Sequence, residues 1–130
     1  MPFAEFTKKY YGAFGSFFLE RLKMQNNIVK LILEIEKRPA MYIGRNSIFC
    51  LKAFLDGWHF RNPKQTENSE ILIEFADWIQ EKFNIDQYSV SWDKLLFLFY
   101  QDEEIALNSF FLNFNQFLQK NINNSISTFM

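Results

Sequence analysis

At 130 residues, 48% apolar and 19% aromatic with 17 Phe, the chain has the length of one domain and is too apolar to be disordered. Its formal net charge of −1 lacks the basic excess of a general nucleic-acid binder, so no nucleic-acid partner is expected. One cysteine, Cys50, excludes an intrachain disulfide framework and a multi-cysteine zinc site, and it fits a reducing cytoplasm. No run of about 18 uninterrupted apolar residues occurs, so neither a membrane helix nor a membrane partner is expected.

Strand-like alternation is nearly absent and helical spacing recurs, which predicts an all-α fold. The first helix is expected from about Ala4 to Lys23, weakened by Gly12 and Gly15. Its aromatic block is too short and too soon closed by Glu20 and Arg21 for a signal peptide. The second helix is expected from about Asn26 to Lys37. Ile28, Leu31, Ile32 and Ile35 make its apolar stripe, Asn26 or Asn27 its cap, and Pro39 its end.

The third helix starts near Ser47, capped by Asn46 or Ser47, and reaches about His59. Ile48, Leu51, Phe54, Leu55 and Trp58 recur along it at three and four, and Gly57 suggests close packing of another element or early fraying. A polar loop around Pro63 leads to the fourth helix, about Ser69 to Phe83, whose apolar side is Ile71, Leu72, Phe75, Trp78, Ile79 and Phe83. Ser91 is expected to cap the fifth helix, Ser91 to Tyr100. The sixth runs from about Asp102 to Asn121 with Leu107, Phe110, Phe111, Phe114, Phe117 and Leu118 inward. Asp102, Glu103 and Glu104 suit its positive end, and the polar tail beyond it is expected to fray. The expected architecture is one compact domain of five or six helices around a Phe-rich core. Residues 1–23 are expected to form an N-terminal helical extension to a domain of residues 24–130.

The string Arg38-Pro39-Ala40-Met41-Tyr42-Ile43-Gly44 lies between the second and third helices. Proline ends one helix and Gly44 can take a positive φ, so a rigid corner is expected, with Met41, Tyr42 and Ile43 pinned between helices. Arg38 has the donors to hold carbonyls or a carboxylate, and Arg38, Tyr42 and Arg45 could instead form a binding surface. The string resembles a segment of GHKL-type ATPases over seven residues only. The four glycines, at 12, 15, 44 and 57, form no cluster that could approach a phosphate, which speaks against ATP hydrolysis.

A longer pattern follows the string. Ser47-Ile48 opens a helix, Phe54-Leu55-Asp56-Gly57-Trp58 lies within it, and Phe75 to Phe83 reads FADWIQEKF. Ser91-Trp92 opens another helix, and Phe110-Phe111 lies in the last. From Met24 to Leu118 the chain resembles a family of small, mostly uncharacterised bacterial proteins with an RPxMYIG or RPxMYLG corner. It departs from that pattern at Trp58, where tyrosine is usual. Residues 1–23 fall outside it, which makes Met24 an alternative start. The family is similar to bacterial toxin-immunity proteins in size and in lacking catalytic motifs. The resemblance implies a non-catalytic cytoplasmic protein that neutralises a toxin by direct contact.

Other residues point the same way. His59, the single histidine, has no nucleophile that spacing places beside it, and a helix-end contact with carbonyls is expected. Cys50 is expected as small apolar filler, because no cationic neighbour is assured. No acidic residue has a His or Cys partner at metal-ligand spacing, so neither metal nor cofactor is expected.

Glu70, Glu74, Asp77 and Glu81 follow spacings of four, three and four, within roughly a 60° stripe of the fourth helix. Such a stripe is either a solvated face or one that steers a basic partner, although Lys82, Lys64 and Arg61 dilute its field. The candidate partner contacts are therefore these four carboxylates with Arg38, Tyr42 and Arg45. The rival expectation is a structural module that self-associates through Tyr10, Tyr11, Phe14, Phe17 and Phe18 of the extension.

Overall fold

The computed structural model describes residues 27–64, 66–85 and 90–129, with side chains as far as residue 122. The expected first helix, Ala4 to Lys23, and the extension it forms lie outside the described residues. Among those described, six α-helices and no strand are present. One isolated bridge joins Asn27 to Glu67, with the Ile28 amide donating to the Glu67 carbonyl at 3.2 Å.

Asn27 opens α1 (Ile28–Lys37), its Oδ1 accepting from the amides of Val29 and Lys30. Ile28, Leu31, Ile32 and Ile35 are buried as their spacing predicts. The chain does not simply turn at Pro39. Proline instead begins a second, five-residue helix, α2 (Pro39–Ile43). It lacks only an amide that a first helical turn leaves unbonded anyway, and its fixed φ suits that position. Arg38, at φ −149°, is both the last cap of α1 and the first of α2. Tyr42 and Ile43 pack against the core from this corner, while Met41 is exposed.

Gly44 closes α2 at φ 85° and ψ −36°, with nothing within 4 Å of where a Cβ would stand. Gly44→Ala is therefore expected to cost about 1–3 kcal/mol through backbone strain alone, measured as a lower urea midpoint at unchanged slope.

Ser47 caps α3 (Ile48–Arg61) by accepting from the Phe49 amide at 3.2 Å. Ile48, Leu51, Leu55 and Trp58 are buried along it. Gly57 neither admits a neighbour nor frays the helix. It faces solvent, a Cβ there meets nothing within 4 Å, and α3 runs on to Arg61. Gly57→Ala is expected to stabilise the fold by about 0.5–1 kcal/mol, raising the same midpoint that Gly44→Ala lowers.

A left-handed Asn68 (φ 58°) turns the chain into α4 (Ile71–Lys82), which buries Phe75 and Ile79. Ser91 stands at the cap of α5 (Trp92–Tyr100), but its side chain makes no capping bond. Asp93 is the acidic residue of that first turn. Gln101 (φ 58°) then reverses the chain into α6 (Glu103–Phe129), where Asp102 Oδ1 accepts from the Ile105 amide at 2.8 Å. The helix continues past Asn121 because no proline or glycine follows to stop it.

These links set the directions. The tight turn at Gln101 makes α5 and α6 antiparallel. Arg45 and Ser47 at the start of α3 both reach Glu103 at the start of α6, so α3 and α6 run the same way. α3 is then antiparallel to α5, and the Phe49 and Phe97 rings meet 5.0 Å apart.

The core lies where α4 crosses α6. The Phe75 ring stands edge-on to Phe110, Phe114 and Phe117 at 5.2, 5.5 and 5.7 Å, and Trp92 closes on Phe110 at 4.6 Å. No helix among the described residues is long and apolar enough to cross a membrane.

Candidate functional site

Phe75 and Ile79 hold one side of α4 against the core, which turns the opposite side outward. Glu70, Glu74, Asp77 and Glu81 are all exposed on that side. Among the described residues none of the four carboxylates has an ion-pair partner. Ile73, 67% exposed, stands at the edge of the stripe. At the start of the helix Glu70 and Glu74 line an open recess of about 290 Å³ with Asn68, Ser69 and Ile71. Spacing alone located the stripe. It missed the recess, which depends on how the left-handed turn at Asn68 leads into the helix, and it left out Ile73, although the same spacing puts that residue beside the stripe.

The cations expected to dilute this field are partly engaged elsewhere. Lys82 Nζ donates to Asn113 Oδ1 and, at 2.7 Å, to Gln116 Oε1 on α6, lying over the Trp78 ring at 5.2 Å. Asn113 is buried, and its amide donates in turn to the Ser109 carbonyl and hydroxyl at 2.8 and 3.0 Å. A buried amide with both ends satisfied holds one orientation, which fixes where the ammonium sits. The Arg61 guanidinium lies over Trp58 at 5.4 Å. α4 thus keeps its acidic side while its one basic residue of the last turn points across to α6.

The second group of candidates occupies the corner. Arg38 is exposed, and among the described residues its side chain makes no hydrogen bond to the carbonyls or carboxylate expected for it. Tyr42 is half-buried against the core. Arg45 is tied down. Its Nη2 donates to Glu103 Oε1 at 3.2 Å and its Nε lies 3.5 Å from Cys50 Sγ. Ser47 Oγ donates to the same Glu103 oxygen at 2.7 Å. The sulfur contact and then the Glu103 charge raise the Arg45 pKa above its ordinary value, so the guanidinium stays charged.

Cys50 is therefore half-buried beside a cation rather than lost among apolar neighbours. That pairing was invisible in sequence because the loop between Gly44 and Ser47 folds Arg45 back onto α3. The corner packs against α1 and α3, whereas α4 packs against α5 and α6. The two groups of candidate residues thus belong to different packing neighbourhoods.

Among the described residues three buried polar atoms have no hydrogen-bond partner: Trp58 Nε1, His59 Nδ1 and Asp93 Oδ1. The carbonyl contact expected for His59 is not made by that nitrogen. Because α3 and α5 are antiparallel, all three atoms fall toward the same end of the bundle. Among the described residues no group of three or more His, Cys, Asp or Glu is arranged to hold a metal ion. No protein-family model matches the chain, and neither a curated protein nor a solved structure matches it.

Proposed function

We propose that this chain is a non-catalytic binding protein that neutralises a bacterial toxin by direct protein–protein contact in the cytoplasm. The residue pattern from Met24 to Leu118, with its resemblance to immunity proteins, suggests the class. The observation that carries the reading is the outer side of α4. Four carboxylates share it, and the helix's own Lys82 is drawn to α6.

Like charges three and four apart cost a helix about 0.2–0.5 kcal/mol per pair. A face that keeps such repulsion is relieved when a basic surface docks on it. Acidic fields also raise the encounter rate with cationic proteins such as nucleases. Ile73 supplies an exposed apolar contact at the edge of the patch. Arg38 and Tyr42 at the corner form the second candidate contact.

The test is co-expression with each product encoded beside the gene. Growth of cells carrying a toxic neighbour is expected to return when this chain is present. Failure to rescue from any neighbour, together with no complex on co-purification, contradicts the reading.

A further inference from the structure

We propose that the aromatic segment Tyr10–Phe18 of this chain docks on its own domain, in an apolar groove beside α5. The groove is lined by Ile85, Val90, Leu95, Leu98 and Phe99 and holds about 180 Å³. Leu95 is buried, while Leu98 and Phe99 stand 59% and 55% exposed. The Phe83 ring braces Phe99 at 4.7 Å. An apolar cavity of roughly 150 Å³ accommodates a benzene ring, so this groove is sized for one aromatic side chain. Each of these described side chains is apolar, and covering such surface is favourable by about 25 cal/mol per Å².

The occupant follows from what the chain carries beyond the described residues. Tyr10, Tyr11, Phe14, Phe17 and Phe18 fall within one uncharged stretch bounded by Lys9 and Glu20. At helical spacing these five residues would share an arc of roughly 120°. The described chain begins at Asn27, held beside Glu67.

The nine residues from Phe18 to Asn27 can span roughly 30 Å when extended. That matches the diameter of a domain of about 100 residues, whose radius of gyration is about 13 Å. A tether of this length gives an effective concentration of the order of millimolar, which favours the chain's own segment over a second copy at micromolar concentration. This docking is independent of the toxin-binding proposal, since the groove lies beside α5 and not on the acidic side of α4.

Disulfide trapping in the full chain tests it, in a Cys50→Ser background. One variant carries Ala13→Cys, a position flanking the aromatic arc, with Leu98→Cys at the groove mouth. The control carries Ala13→Cys with Phe60→Cys, an exposed position at the end of α3, just before the loop that holds Asn27. Tether proximity alone favours the control. The expected result is an intramolecular disulfide forming about tenfold or more faster with Leu98→Cys than with Phe60→Cys. Adding Phe14→Ser and Phe17→Ser is expected to bring the faster rate down to the control rate. Equal rates, a faster control, a disulfide that joins two chains, or a rate indifferent to the two Phe→Ser changes each overturn the proposal.

Discussion

Phe75→Ala is expected to lower the unfolding free energy by about 3–5 kcal/mol. The side chain is fully buried and meets three rings of α6 edge-on, at Phe110, Phe114 and Phe117. Its removal loses both the transferred area and the edge-to-face contacts, and the surrounding rings cannot collapse together without leaving their rotamers. Ile79, one helical turn on, is the other fully buried anchor of α4, so the helix would be left with one. Against a typical total of about 5–15 kcal/mol, this loss brings the protein near its unfolding threshold. Urea titration followed by far-ultraviolet circular dichroism reads the effect. A loss under about 1 kcal/mol, the scale of an ordinary surface change, would mean that α4 is not seated on α6.

Reversing the stripe, with Glu70, Glu74, Asp77 and Glu81 all changed to Lys, is expected to slow association with a basic toxin by about 10- to 1,000-fold. The fold should survive, because all four side chains are exposed and none makes an ion pair among the described residues. Steering by exposed charge is screened over a Debye length of about 8 Å at physiological salt. The wild-type on-rate should therefore fall steeply as salt is raised, and that of the variant should not. Equal on-rates for the two proteins at low salt would remove α4 from the proposed interface. The two variants separate the functions of the helix. Phe75→Ala loosens its seat, and charge reversal leaves the seat and changes the face.

Periodicity carried most of the fold. The stripes Ile28-Leu31-Ile32-Ile35 and Phe110-Phe114-Phe117 are buried as their spacing requires, since one face of a helix must find the core. Punctuation was legible where one residue controls it. Gly44 takes its positive φ, and Ser47 and Asn27 cap. It was incomplete where a residue has two uses. Pro39 stops α1 at Lys37 as expected but also starts α2, and Ser91 takes the cap position without the capping bond.

The acidic stripe on α4 was legible because it lies within one helix. What surrounds it was not. Lys82 reaches residues more than thirty positions away, and Glu103 gathers Arg45 and Ser47 from more than fifty. Such contacts depend on how helices cross, and no local pattern encodes that crossing.

The most direct measurement of the proposed function is to titrate the purified chain into the activity assay of any toxic product found encoded beside its gene. Activity is expected to fall with each addition until it is abolished, and the four-Lys variant is expected to need far more protein for the same inhibition. Undiminished toxin activity in an excess of the wild-type chain would contradict it.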